Sequence, residues 1–528
     1  MLPNITSQQG SGFFWLRLPS LFRTRRNDEH LLLRSLQTLY ESMSLFVVGT
    51  ASHVGKSVTV AAICRCLVRR GITVAPFKSQ NMSLNSYVTP LGGEIGMAQA
   101  MQAFAARVTP HTDMNPVLLK PKGDCISQVV LHGRPYKDVP ITDYYRETPQ
   151  LLEEAVSSYK RLKEEYGEVV VEGAGGAAEV NLYNRDIANT LLAERLRIPV
   201  ILVADIERGG VFAQVYGTIQ LLPDTVRPLV KGVIINKFRG DSSIFEPGIR
   251  KIEELCRVPV LGVVPYISLH LPSEDSLSIG DKKVMRNGVR IAVIRLPRIA
   301  NFTDFELLEQ YSSVEYVDPG RSLVGFDCVI VPGTKNTIED LRSLKAAGMD
   351  KELYRVREQG VPIIGICGGY QMLGTHLVDA GFESAAGTYD GLGLLDCITH
   401  FTSYDKNTTQ VTRTARSVPP ILSAMGTVTG YEIHMGVTKS GSSQEAFGGD
   451  GRVSDDGLVF GTYMHGLFQN PSAANALLSF LHEKRGIPFE PIPESAGDPY
   501  DALADHFEQH VDMERIVALL GCSRGDFS

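Results

Sequence analysis

The stretch Gly49-Thr50-Ala51-Ser52-His53-Val54-Gly55-Lys56-Ser57 restricts the fold of this chain more than any other segment does. A short apolar run, Leu45–Val48, precedes it. A helix-length stretch, Val58–Arg70, follows it and stops at Gly71. A strand, a glycine loop and a helix in that order surround an anion with backbone N–H groups and the positive end of the helix. The Lys56 ammonium suits β- and γ-phosphates, and the Ser57 hydroxyl suits Mg²⁺. ATP with Mg²⁺ is therefore expected at Gly49, Thr50, Gly55, Lys56 and Ser57. A strand feeding such a helix needs parallel neighbours. Short β-branched runs bounded by turn residues recur at Ile72–Phe77, Val169–Val171, Val200–Ala204, Gly232–Ile235 and Val258–Val264. Their helix-length separations predict an α/β fold whose parallel sheet is covered on both faces.

Five residues separate Gly49 from Gly55-Lys56, one more than in the usual phosphate loop. That spacing resembles the dethiobiotin synthetase-like branch of P-loop enzymes. The resemblance extends to Val171-Glu172-Gly173-Ala174-Gly175-Gly176, and it implies that Glu172 is a Mg²⁺ ligand. It also implies that Lys78 faces the γ-phosphate or a substrate carboxylate, and that Asn236 in Asn236-Lys237 reads the nucleotide base, with a plain turn as the alternative. Asp205 ends a strand and is a candidate for Mg²⁺ or its water shell, with a plain turn aspartate before Gly209-Gly210 as the alternative. Enzymes of this branch activate a carboxylate with ATP, after which a nitrogen nucleophile attacks the acyl phosphate. Positioning and charge neutralisation carry such catalysis.

A second constellation suggests a source of nitrogen. Polar, turn-rich residues 271–288 mark a boundary, and another α/β series follows at Val289–Leu296, Cys328–Val331, Pro362–Ile366 and Leu458–Tyr463. Residues 400–430, rich in Thr and Ser, read as irregular or antiparallel. Cys367 sits in Ile366-Cys367-Gly368-Gly369-Tyr370-Gln371, between an apolar strand and a helix. Small neighbours permit a sharp strand-to-helix turn, and N–H groups after the thiol can hold an oxyanion. This elbow resembles class I glutamine amidotransferases. By that resemblance His465, in Tyr463-Met464-His465-Gly466, is the base that activates Cys367. The N–H groups of Gly333 and Gly368 complete the oxyanion hole, and Gln371 contacts glutamine. The family's usual Glu two residues past the His is Leu467 here. The third triad member is thus missing or replaced. Glu432 is one candidate, and a slow dyad is expected.

Phe77-Lys78-Ser79-Gln80-Asn81-Met82-Ser83-Leu84-Asn85-Ser86, Asp205–Ala213 and Gly430–Gly436 narrow the match. Together they resemble the cobyric acid synthase family over roughly residues 45–485. The resemblance implies amidation of the b, d, e and g carboxylates of adenosylcobyrinic acid a,c-diamide, with L-glutamine as nitrogen donor and ATP as activator. Gln80, Asn81, Ser83 and Asn85 suit corrinoid amides and carboxylates, or else form a polar turn against the nucleotide site. An ammonia passage between the two chemistries is implied. Cobyrinic acid a,c-diamide synthase, a cell-wall amidating enzyme and a partitioning-type ATPase are the alternatives.

These readings divide the chain into an extension at 1–44, a P-loop parallel-sheet domain at 45–285, a class I glutamine amidotransferase-like α/β domain at 286–487, and a tail at 488–528 that includes a helix near Val511–Leu520. Residues 1–27 hold four Arg and the only Trp, Trp15, and the extension reads as a leader or a misassigned start before Met43. A net charge of −7 argues against a nucleic-acid coat. No run of about 18 uncharged apolar residues suggests a membrane span. Eight cysteines without a CxxC pair argue against a disulfide scaffold and for a cytoplasmic setting. The oligomeric state is not legible.

Overall fold

The computed structural model describes residues 44–123, 125–267, 271–272, 288–494 and 497–521. The expectations for the extension up to Met43 and for most of the 271–288 boundary lie outside the described residues.

The first sheet has six parallel strands in the order Val260–Pro265, Val230–Phe238, Val200–Asp205, Ser44–Gly49, Glu168–Glu172, Val74–Phe77. The central strands are buried along their whole length, as strands covered on both faces must be. Side chains alternate between two cores, as the two-residue period of a strand requires. Phe46 and Val48 point to one face, with Val156, Tyr159 and Leu162 of the helix Thr148–Tyr166. Leu45 and Val47 point to the other, with Val60, Ile63 and Leu67 of the helix Lys56–Arg69. Fully burying each such side chain contributes about 1.5–3 kcal/mol.

Of the segment read as a tail, residues 497–521 return to this first core. The helices Pro499–Glu508 and Met513–Leu519 bury Leu503, Phe507 and Ile516 against the phosphate-loop helix. The Asp512 N–H donates to the Leu261 carbonyl at 2.8 Å, which ties the segment to the edge strand.

Between Phe77 and Glu168 the chain builds a smaller sheet that the sequence reading did not anticipate. Gln80–Met82 pairs parallel with Val117–Gly123, which continues antiparallel through Ile126–Leu131 to Arg134–Pro140. The tight turn at His132-Gly133 has positive φ at both residues, as a two-residue hairpin demands.

The second large sheet runs Ser313–Val317, Arg290–Ile294, Cys328–Val331, Ile363–Ile366, Val459–Thr462, with Arg452–Val453 antiparallel at its edge. Residues 400–430 take the antiparallel option: Asn407–Thr414 pairs with Thr427–His434, which also pairs with Met464–His465. Both large sheets present the C-terminal ends of central strands to a glycine-rich turn and a helix, the position where open α/β sheets bind ligands.

Candidate active site

The phosphate loop leaves its strand with the Thr50 N–H bonded to the Val203 carbonyl at 3.0 Å. Gly55 caps the following helix at φ 98°. A Cβ there would stand 2.1 Å from Nδ2 of Asn236, so only glycine fits. Asn236 donates to the Val54 carbonyl at 2.8 Å and braces the loop from Val230–Phe238, two strands along the sheet. Lys56 curls back to the carbonyls of Ala51 and Gly175, at 3.0 and 2.8 Å. Thr50 donates to Gln214 at 3.3 Å.

Glu172 gathers the polar side chains beneath the loop. Its carboxylate is fully buried and accepts from Ser57 Oγ and Lys78 Nζ, each at 2.9 Å, and from Gln102. The Lys78 ammonium offsets the buried negative charge, which would otherwise be very costly. Two ammoniums, a hydroxyl and a carboxylate thus converge at the start of one helix, a donor set suited to phosphate oxygens and a hard cation. Asp205 lies apart from that cluster. It pairs with Lys237 at 3.0 Å, and Lys237 also donates to the His53 carbonyl of the loop. Among the described residues no three His, Cys, Asp or Glu side chains form a metal cage. A cation held by Ser57 and Glu172 would need phosphate oxygens to complete its shell, as Mg²⁺ commonly does.

Of the four polar residues after Lys78, Asn81 donates to Gln99 at 3.0 Å, and Gln80 accepts from Tyr144 at 2.5 Å. Ser83 and Asn85 close a turn on each other, with the Asn85 N–H donating to Ser83 Oγ at 2.9 Å.

Cys367 adopts φ 51° and ψ −108°, a strained conformation for a residue with a side chain. Its N–H donates to the Thr462 carbonyl at 2.8 Å, and its carbonyl receives the Gln371 N–H of the following helix. Close packing holds this turn. A Cβ on Gly368 would stand 2.8 Å from Thr334 Cγ2, and one on Gly333 would stand 2.8 Å from His465 Cε1. Gln371 is clamped at both ends. Its amide donates to the Met435 carbonyl at 2.8 Å and its oxygen accepts from Thr337 at 2.8 Å.

The structure corrects the expectation of a dyad. His465 Nδ1 lies 2.7 Å from Oδ2 of Asp304, and the other Asp304 oxygen accepts the Gly466 N–H at 2.8 Å. Burial alone would lower the His465 pKa. The Asp304 carboxylate and the neighbouring Cys367 sulfur more than reverse that and raise it to about 10. Glu432 is committed elsewhere, to Arg413 at 2.5 Å and Asn407 at 2.8 Å. Its strand places it opposite Met464, one residue out of step with His465.

A cavity of about 50 Å³ opens beside Cys367 and His465. Its wall includes Lys120 and Gln128 of the small sheet, together with Gln371, Lys335, Glu383 and Lys406. Lys120 and Lys406 share the buried Glu94, whose carboxyl is held below its ordinary range despite burial. Lys335 donates to the neutral amide oxygen of Gln128 at 2.8 Å. Burial, with the nearby charges of Lys406 and Lys120, pushes Lys335 down to about 7.

Comparison with known proteins agrees with this pairing of sites. Residues 45–276 match the family described as CobQ/CobB/MinD/ParA nucleotide binding domain, and residues 290–473 match the CobB/CobQ-like glutamine amidotransferase domain. The probable cobyric acid synthase of Methanoregula boonei is 74% identical over 478 residues, covering 90% of this chain and 100% of that protein. That of Methanosphaerula palustris is 68% identical over 477 residues, covering 90% and 98%. The chain belongs to the cobyric acid synthase family. Within this cobyric acid synthase family member, the residue that sequence reasoning missed is Asp304. It had a signal: an acid between the aromatics Phe302 and Phe305, in the turn that follows a buried strand and its loop. A fully buried acid in such a setting needs a partner.

Proposed function

We propose that this chain amidates the b, d, e and g carboxylates of adenosylcobyrinic acid a,c-diamide, using ATP and L-glutamine. The observation that carries the reading is the wall of the Cys367 cavity. Lys120 and Gln128 come from the segment between Lys78 and Glu172, so the two candidate chemistries share one construction.

In this reading Cys367 attacks the glutamine amide carbon after passing its proton to His465, and Asp304 holds the resulting imidazolium in orientation. The N–H groups of Gly333 and Gly368 face the developing oxyanion. His465 returns the proton to the departing ammonia, and water then hydrolyses the thioester to glutamate. Lys335 receives the α-carboxylate of glutamine and Glu383 its α-ammonium. Gln371 shapes the same pocket. At the other end Gly49, Thr50, Gly55, Lys56 and Ser57 cradle the nucleotide phosphates, and Asn236 fixes the loop. Ser57 and Glu172 would hold Mg²⁺, and Asp205 would act only through its water shell. Lys78, Gln80, Asn81, Ser83 and Asn85 face the acceptor. Bound ATP supplies the phosphoryl group that turns the acceptor carboxylate into an acylating agent.

The test is mass spectrometry of adenosylcobyrinic acid a,c-diamide after incubation with the protein, Mg·ATP and amide-¹⁵N glutamine. Stepwise gain of labelled amides up to four supports the reading. An unmodified corrinoid, with glutaminase and ATPase activities intact, would move the reading to another carboxylate.

A further inference from the structure

The short run Leu84–Val88 touches supports of both Asp304 and His465. On the Asp304 side, the Ser86 N–H donates to Asn301 Oδ1 at 2.9 Å, and Thr303 Oγ1 donates to Asn85 Oδ1 at 3.2 Å. The Asn301 N–H returns to the Leu84 carbonyl at 3.4 Å. On the His465 side, the Tyr87 ring packs edge-on against Tyr431 at 5.5 Å. Tyr431 in turn stacks on the His465 imidazole at 5.6 Å and 25°. Asn85, Ser86, Asn301, Thr303 and Asp304 are all buried.

The same run is tied to the phosphate end. It continues from Lys78, which contacts Glu172, and Asn81, which contacts Gln99. Gln99 donates to Glu172 at 3.4 Å. The Asn85 carbonyl accepts the N–H of Met97, the first residue of the helix that carries Gln99 and Gln102. A buried, densely packed path thus runs from the carboxylate under the phosphate loop to the histidine of the thiol site. Asn301 has φ 53°, a left-handed conformation that a residue with a side chain holds only under restraint from its surroundings. Ser86 and Leu84 supply that restraint. Because both Asp304 oxygens are engaged, one with His465 and one with the Gly466 N–H, any shift of the 301–305 turn moves the imidazole with it.

We propose that the Asn85–Tyr87 turn positions the glutaminase triad, so that occupancy of the nucleotide and acceptor end sets the geometry of Asp304 and His465. Thr303 and Tyr87 are positioning residues in this scheme. The proposal rests on the activity proposed above.

The experiment compares Thr303→Val, Thr303→Ser and Tyr87→Leu with the unsubstituted protein. Three quantities are read: glutaminase rate alone, glutaminase rate with Mg·ATP and adenosylcobyrinic acid a,c-diamide, and amidation driven by ammonium chloride without glutamine. The expected result is a stimulation factor reduced about fivefold or more in Thr303→Val and Tyr87→Leu, the range of an ordinary site-to-site coupling. KM for glutamine and ammonium-driven amidation stay within about twofold, since such a coupling acts on the triad and not on the pocket. Thr303→Ser, which keeps the hydroxyl, restores the factor. An unmoved factor in both variants overturns the positioning role, as does an unsubstituted protein that shows no stimulation. Ammonium-driven amidation that falls in step with glutaminase also overturns it, because that pattern belongs to plain packing residues. An unsubstituted protein that amidates the corrinoid with neither glutamine nor ammonium sinks the proposed function itself.

Discussion

At the scale of single residues, the decisive contact is the one between Asp304 and His465. A carboxylate 2.7 Å from Nδ1 orients the imidazole, which shares the cavity wall with the Cys367 thiol. Asp304→Asn keeps the shape and removes the charge. Glutaminase is expected to fall by about 10²- to 10⁴-fold, the usual span for losing a base or its orientation. A loss under about threefold, measured as kcat/KM for glutamine, would return the site to a dyad. The same pair predicts a pH dependence of stability. Its folded pKa is raised from 6.5 to about 10, so the contribution is full below pH 6.5 and is lost as pH rises to about 10. Denaturation midpoints across that window should decline more steeply for the unsubstituted protein than for Asp304→Asn. Parallel curves would mean that the histidine is not charged in the folded state. Lys335 gives a second residue-scale prediction. It is a buried lysine with a neutral partner, so an anion in the cavity favours its charged form and gains a charge-assisted bond worth roughly 1.5–3 kcal/mol. Lys335→Met should raise KM for glutamine about ten- to a hundredfold, with a smaller change in kcat. A normal KM would place the α-carboxylate elsewhere.

At the scale of elements, what the sequence disclosed follows from how local each signal is. The phosphate loop and the thiol elbow are short stretches in which glycines, one charged or nucleophilic residue and a flanking strand stand together, so neighbouring residues sufficed to place them. The buried strands were legible because side chains covered on both faces are continuously apolar. The small sheet over residues 80–140 was not, because Arg134–Pro140 is largely exposed and carries no apolar run. Asp304 was missed for a different reason. It comes 161 residues before His465, and no local pattern links two positions joined only by sheet topology. The C-terminal helices were read as a tail for the same reason, since their apolar face has a partner only once the first sheet exists. That last point is testable. Phe507 is 3% exposed in the core shared with the phosphate-loop helix. Phe507→Ala should cost about 3–5 kcal/mol, seen as a lowered urea midpoint of the nucleotide-binding half. A cost below about 1 kcal/mol would make these helices a peripheral strap.

At the scale of the whole molecule, the question is where the nitrogen goes. Lys120, Lys335 and Lys406 line or border the cavity beside Cys367, against the acids Glu94 and Glu383, so cations outnumber acids at the thiol. An ammonium ion approaching from solvent meets like charge in a partly buried setting, where screening is weak. Neutral ammonia released from glutamine inside the cavity meets no such penalty. Protonation there is disfavoured as well, by the same mechanism that depresses Lys335. The two routes to an amide should therefore not mix. With amide-¹⁵N glutamine and a large excess of unlabelled ammonium chloride near pH 7, the amidated corrinoid should stay almost wholly labelled. Replacing Lys406 with Met removes one wall charge and should let unlabelled nitrogen in. The label fraction by mass spectrometry decides it. Full dilution in the unsubstituted protein would mean that ammonia equilibrates with water before it reacts. The shared cavity wall would then serve glutamine binding alone.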